Sequence, residues 1–301
     1  MVGLSLPPLL RVLRPHQWSK NVFVLAALVF ALGDRTSSLP PAAMARSIAA
    51  FFAFSLVASS IYLVNDILDV AGDRAHPIKR KRPIAAGEVA IGVAWVLSFV
   101  CLAAGLVLAF LLAGGRAVVQ VLLAYTVLNL VYSSWLKHVV LVDAFCIAAG
   151  FQLRLMAGGY AAGVGISHWA VLCTLFLALF LALSKRRAEL VLMGESGLEH
   201  RSSLKNYNVP FLDQMIAVLA ACTIVAYTMY TVDPSNAEKF GEGHGLLWTI
   251  PFVVFGLGRY MVLTQSGDGG DNPTRIFLGG DAWFLANTLA WVAVVLLAMA
   301  N

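Results

Sequence analysis

Apolar residues recur along this chain in long runs, at 20–33, 43–66, 88–113, 117–134, 139–159, 167–184, 211–231, 246–264 and 281–300, separated by polar connections. About twenty apolar residues in a helix cross the ~30 Å hydrocarbon core of a bilayer. The pattern predicts an all-α, polytopic membrane protein with nine transmembrane helices. No soluble domain is appended and no solenoid-type repeat is evident, so residues 1–301 read as one transmembrane domain.

Composition agrees, with 60% hydrophobic and only 12% charged residues; a soluble domain carries about twice that charge fraction. The net charge of +5 would suit nucleic acid, but here its placement matters more than its sum. Nine spans divide the loops between two sides. One side collects sixteen Lys and Arg, the other only Arg35, Arg46, Arg116 and Lys239. Basic loops mark the cytoplasmic side, so the N-terminus is expected there, with the charged loops 67–87, 185–210 and 265–280. Arg11, Arg14 and Lys20 before the apolar stretch 22–32 imitate a signal peptide. The polar run 14–21 is too elaborate for one. Cys101, Cys146, Cys173 and Cys222 lie inside apolar runs without ligand spacing and read as small hydrophobes.

The richest chemistry follows the second run. Asn65, Asp66, Asp69 and Asp73 leave its end and meet Arg74, His76, Lys79, Arg80, Lys81 and Arg82. On a helix, Asn65, Asp69 and Asp73 share a face with Asp66 beside it. Hard oxygen ligands suit Mg²⁺, which in turn suits a diphosphate. The neighbouring cations suit the remaining phosphate oxygens. An EF-hand pattern is absent, and so are GxSxG, HExxH, a Walker loop and a dinucleotide fingerprint.

Other polar groups lie at the same membrane boundary. The run 14–21 leads into the first span, with Lys20 and Asn21 favoured over its interfacial Trp18 as site members. Tyr132, Ser133 and Lys137 close the fourth span. Lys185, Arg186 and Glu189 follow the sixth, and Asn206, Tyr207, Asn208 and Asp213 precede or open the seventh. Within the fifth span lie Asp143 and Arg154, eleven residues and about 16 Å apart, too far for a direct pair. Ionisable groups at membrane depth usually face a cavity. That assigns Arg154 to substrate and leaves Asp143 open between an interfacial and a functional place.

The NDxxDxxxD pattern at 65–73, after the second of nine spans, resembles the UbiA superfamily of intramembrane prenyltransferases. A narrower resemblance, to decaprenyl-phosphate phosphoribosyltransferases, runs along nearly the whole chain. Residues 14–21, 62–66, 73–77 and 82–87 carry it, with Tyr132-Ser133, Leu136-Lys137, Lys185-Arg186, Glu189, Tyr207 and 211–215. Aromatic prenyltransferases carry a second aspartate-rich motif before the seventh span. Here Asn206, Tyr207 and Asn208 stand in its place.

The resemblance implies a nine-helix UbiA-type bundle with cytoplasmic active-site loops in a bacterial inner membrane. It implies transfer of 5-phosphoribose from phosphoribosyl diphosphate (PRPP) to a polyprenyl phosphate such as decaprenyl phosphate, toward arabinan-type cell-wall precursors. Asp66, Asp69 and Asp73 then act as catalytic residues and, with Asn65, hold Mg²⁺, or Mn²⁺ in its stead. Lys20, Asn21, Asn65, Arg74, Lys79, Arg80, Arg82, Tyr132, Lys137, Arg154, Lys185, Arg186 and Tyr207 are the expected substrate contacts. Membrane lipid is a partner, nucleic acid is not, and a homo-oligomer is compatible. Two alternatives stay open: prenyl transfer from a diphosphate to an aromatic or other acceptor, and a transporter with Asp143 and Arg154 along its path.

Overall fold

Backbone amides inside an apolar run have no water to bond, so the chain closes them on itself as helix. The computed structural model describes residues 7–34, 39–197, 207–234, 245–265 and 281–300, with no strand among the described residues. Arg35, Lys239, Arg201, Lys205, Asn206 and Arg275 lie outside them, as do most of the loops that carry these residues.

Eleven α-helices are described: α1 (Pro8–Arg11), α2 (Phe23–Leu32), α3 (Ala43–Leu68), α4 (Val70–Ala75), α5 (Ile91–Leu112), α6 (Arg116–Ser134), α7 (Val142–Ala162), α8 (His168–Gly197), α9 (Val209–Val232), α10 (Ile250–Gln265) and α11 (Ala282–Ala300). Short 3₁₀ segments lie at Pro15–Val22, Lys79–Lys81, Leu136–His138 and Gly245–Thr249.

Every expected span contains a helix, yet the described residues do not supply nine full crossings. Six stretches are long and apolar enough: α3, α5, α6, α9, His168–Val191 of α8, and Gly245–Gln265 around α10. The first expected span fails because its start is a 3₁₀ segment running to Val22, leaving α2 only 10 residues. Ten residues rise about 15 Å, half the hydrocarbon core. Helix α7 has 21 residues but carries Asp143, Gln152 and Arg154, which lower its hydropathy. Helix α11 offers the shorter apolar stretch Ala282–Ala298. The chain is an integral membrane protein.

The chain divides into two compact units. The first comprises Met1–Val29, Leu39–Ser133 and Leu153–Gly165; the second Phe30–Ser38, Ser134–Gln152 and Ile166–Asn301. In the first, α3 packs chiefly on α5, and small residues set the approach. A Cβ on Gly105 would lie 2.7 Å from Val57 Cγ2 and 2.9 Å from the Ala53 oxygen. A Cβ on Gly158 would fall 2.0 Å from the Val24 oxygen. In the second unit, α8 packs chiefly on α9, around Phe180, Leu183, Leu212 and Ile216. Tyr260 of α10 stands 5.4 Å from the Phe180 ring and 6.5 Å from Phe284.

A small core in the first unit anchors the polar segments around the end of α3. Ile84 and Val89, from the loop after α4, are buried with Val12, Leu63, Ile67 and Ala94. This pins both the basic loop and the N-terminal segment beside the last turns of that helix.

Candidate functional site

The carboxylates separate according to helical phase. Asp66 and Asp73 are both buried at 3% exposure, Asn65 is half-buried, and Asp69 is exposed. Helix α3 ends at Leu68 and α4 begins at Val70, but the ladder runs on through Asp69 N to Asn65 O (2.9 Å) and Asp73 N to Asp69 O (2.8 Å). Seven residues return to within about 20° of the starting direction, whereas steps of four accumulate a drift. Asp66 and Asp73 are therefore the aligned pair, in place of the expected Asn65, Asp69 and Asp73 face.

Two arginines meet that pair. Arg82 Nη1 donates to Asp66 Oδ1 at 3.0 Å and to Asp73 Oδ2 at 2.6 Å. Arg14 Nη2 donates to the same Asp66 oxygen at 2.5 Å. Arg82 is placed by the buried Ile84 and Val89 behind it. The same loop is tied by Arg74 Nε donating to the Ala85 carbonyl (3.2 Å). His76 Nδ1 accepts from the Ile78 and Lys79 amides at 3.2 and 3.3 Å, capping the turn that exposes Lys79, Arg80 and Lys81.

Arg14 arrives along the 3₁₀ segment, whose side chains follow one stripe of α3. Asn21 Nδ2 donates to Ser55 Oγ (3.0 Å), and Trp18 Nε1 donates to Ser59 Oγ (3.0 Å). Ser59 Oγ in turn donates to the Leu13 carbonyl (2.7 Å). The Arg14 guanidinium lies 5.3 Å from the Tyr62 ring centroid. Burial, then the Arg14 and Lys20 cations, hold the His16 imidazole below its usual range. Lys20 is exposed and Asn21 is 1% exposed.

Arg154 belongs to the same unit. Its Nε donates to Asn21 Oδ1 (2.8 Å) and its Nη2 to Tyr125 Oη (2.9 Å). It sits 5.0 and 4.9 Å from the Phe54 and Tyr125 ring centroids. Desolvated cation–π contacts of this kind contribute about 2 kcal/mol. Tyr132 is half-buried at the end of α6.

A different arrangement occupies the second unit. Arg186, 2% exposed, donates from Nε to Asp143 Oδ2 (2.8 Å) and from Nη1 to Glu189. Tyr207 Oη donates to Asp143 Oδ1 (3.0 Å) and accepts from the Leu141 amide (2.7 Å). Leu141 has φ 64°, so Tyr207 braces a left-handed residue at the entry to α7. Burial pushes the Tyr207 phenol up to about 12, the Leu141 amide opposing and Asp143 adding to the shift. Lys185 is exposed, 3.8 Å from Glu189, and Lys137 is half-buried in the 3₁₀ turn before α7. Asn208 accepts from the Phe211 amide (2.8 Å), which makes it the N-cap of α9.

Among the described residues, no group of three or more His, Cys, Asp or Glu is gathered around one point. The two carboxylate oxygens that converge on Arg82 Nη1 are nevertheless hard donors aimed at one cationic position. Mg²⁺ is commonly held by one or two carboxylates, its other ligands being waters and substrate phosphates. That donor set fits the cation.

The residue that sequence reasoning underweights is Arg14. It favours Lys20 and Asn21, whereas the buried motif carboxylate is met by Arg14. One signal was legible: Ser55, Ser59, Tyr62 and Asp66 recur at i, i+4, i+7 and i+11, a single polar stripe on an apolar helix.

Comparisons with known proteins place the chain in a family. The chain is 36% identical to a protein of Corynebacterium glutamicum named decaprenyl-phosphate phosphoribosyltransferase, over 97% of this chain and 86% of that one. It is 35% identical to the Mycobacterium tuberculosis protein of the same name, over 95% and 92%. Its fold matches a UbiA homolog from Archaeoglobus fulgidus solved with GPP and Mg²⁺, with TM-score 0.70, 18% identity, and 98% and 100% coverage. Residues 21–186, from the end of the 3₁₀ segment to the buried arginine of α8, match the UbiA prenyltransferase family, and the chain belongs to that family.

Proposed function

We propose that this protein is a phosphoribosyltransferase that moves 5-phosphoribose from PRPP to a polyprenyl phosphate such as decaprenyl phosphate, releasing diphosphate. The observation that carries this reading is the convergence of Asp66 and Asp73 on one guanidinium nitrogen. It stands in a chain 36% identical, nearly end to end, to a decaprenyl-phosphate phosphoribosyltransferase.

Asp66 and Asp73 would hold Mg²⁺, or Mn²⁺, with exposed Asp69 and half-buried Asn65 at its rim. When bound, the metal neutralises the departing diphosphate. Arg82, Lys79, Arg80 and Arg74 supply charge-assisted hydrogen bonds to the phosphoryl oxygens. Lys20, Asn21, Tyr132 and Arg154 in the first unit, and Lys137 and Lys185 in the second, are assigned to the remaining polar groups of the substrates. Arg186 and Tyr207 are bonded to buried Asp143 and act there by holding the segment before α7 in place. The acceptor phosphate is already anionic at neutral pH, so the reaction needs no strong general base. Its apolar tail stays in lipid. The basic loops, including the site, face the cytoplasm by the positive-inside rule, the whole chain acting as one domain in the inner membrane.

The test is transfer of label from radiolabelled PRPP to decaprenyl phosphate by the purified protein, read as counts extracted into organic solvent. EDTA-sensitive, lipid-soluble label is the expected result. Absence of label, with product from a polyprenyl diphosphate and an aromatic acid, would move the protein to prenyl transfer. Solute flux across liposomes without product would make it a transporter.

A further inference from the structure

The 3₁₀ segment and α3 are joined by a seam whose two edges run antiparallel. Ser55, Ser59, Tyr62 and Asp66 lie at i, i+4, i+7 and i+11 and so form one stripe of α3. Against them stand Asn21, Trp18 and Arg14, in descending order of sequence. Ser55 and Ser59 have no exposed surface. Ser59 makes two bonds with one oxygen: it accepts from the Trp18 indole and donates to the Leu13 carbonyl. Leu13 immediately precedes Arg14, whose backbone is left-handed at φ 53°, ψ 57°. A non-glycine residue holds that conformation when its surroundings fix it. Here they are the Ser59 bond on one side and, on the other, the Arg14 carbonyl accepting from the Gln17 amide (2.8 Å). At the far end, Asn21 is held by Arg154.

The Arg14 side chain needs that backbone. It passes the Tyr62 ring and ends on Asp66, the buried carboxylate it shares with Arg82. It keeps 21% of its side-chain surface open, so its fork has donors left for a ligand. We infer that Arg14 is a diphosphate-binding residue of the site and that Ser59, bridging Trp18 and Leu13, is the positioning residue that delivers it.

The inference rests on the proposed use of a diphosphate donor, and a double-mutant cycle in the full-length protein tests it. Arg14→Gln raises the KM for PRPP by more than about tenfold. Ser59→Ala and Trp18→Phe, which keeps the ring and loses the N–H, each raise it about three- to tenfold. In all three the KM for polyprenyl phosphate stays within about twofold, while kcat falls furthest with Arg14→Gln, because the departing diphosphate loses a cation. Because Ser59 acts through Arg14, adding Ser59→Ala to Arg14→Gln changes nothing further. Arg14→Lys, charged but without the fork, falls between Arg14→Gln and the parent.

Effects of Ser59→Ala that add fully to Arg14→Gln, or that raise both KM values alike, would overturn the positioning role. Titration of each variant with inorganic diphosphate and Mg²⁺ separates the two readings. Diphosphate binding that follows the same cycle, in a protein that transfers no phosphoribose, removes the phosphoribosyl reading and keeps the inference. A parent protein that binds no diphosphate overturns both.

Discussion

Two carboxylate–arginine clusters, one in each unit, use the same groups toward opposite ends. In the first, Asp66 and Asp73 are buried but their partners Arg14 and Arg82 keep 21% and 29% of their side-chain surface. In the second, Asp143 and Arg186 have 0% and 2%. A cation at the surface of a cluster can turn from its carboxylate to an incoming anion at little cost in desolvation. A sealed pair cannot, since separating it strands a buried charge. The difference separates ion pairs whose cations an incoming anion can reach from a pair sealed among helices.

The comparison breaks most sharply at the carboxylates. Asp66→Asn and Asp73→Asn are expected to lower kcat/KM by about a thousandfold or more, with unfolding in detergent little changed. Asp69→Ala, on an exposed side chain, should also abolish turnover in a folded protein. Substantial Mg²⁺-dependent activity in that variant would remove the acidic row from the mechanism. Asp143→Asn should do the reverse and destabilise the fold by about 3 kcal/mol, because the buried Arg186 loses one carboxylate partner and keeps Glu189. Combining it with Arg186→Gln should recover most of the loss in Tm, as replacing both members of a buried pair does.

A control for plain packing comes next. Gly158→Ala places a methyl group against the Val24 carbonyl and should cost about 1–3 kcal/mol, touching neither cluster's chemistry. The smallest effect sharpens the sealed region. Tyr207→Phe loses two hydrogen bonds, for a net cost of about 1 kcal/mol. The folded phenol titrates higher than the unfolded one, at about 12, against about 10 for a free tyrosine. Its stabilisation is complete below the unfolded value and fades as pH rises toward the folded one. The Tm difference between parent and Tyr207→Phe should therefore be flat through neutral pH and narrow in alkali.

Much of this was legible in the residues themselves. The apolar runs at 43–66 and 88–113 became α3 and α5 within a few residues, because an uninterrupted run in lipid has only the helix to satisfy its amides. The first run misled, since its polar start winds as 3₁₀ and leaves α2 short. At 65–73 the residue types pointed to hard-oxygen ligand chemistry, and spacing by four put Asn65, Asp69 and Asp73 on one face with Asp66 beside it. The structure instead buries Asp66 with Asp73 and leaves Asp69 exposed. The 3.6-residue turn favours Asp66 with Asp73, seven apart. The sequence favoured Arg154 and left Asp143 open, and only tertiary contacts tell that Asp143 meets Arg186 and Arg154 meets Asn21 and Tyr125. The left-handed turn at Arg14 was invisible, because a conformation strained for the residue is imposed from outside it.

The seam between the 3₁₀ segment and α3 also bears on how this protein is made. Its partners are 34 to 52 residues apart in sequence. The segment with Trp18 and Arg14 leaves the ribosome first and waits, and α3 enters the bilayer with Ser59 and Asp66 still without their seam partners, while the Ser55 hydroxyl is met by the Phe51 carbonyl of its own helix. Each unmet polar group in hydrocarbon is costly, so α3 is a helix whose insertion is completed by a piece of chain already synthesised. A nascent chain shortened to begin at residue 23 would present the same helix to the translocon with no strap to receive it.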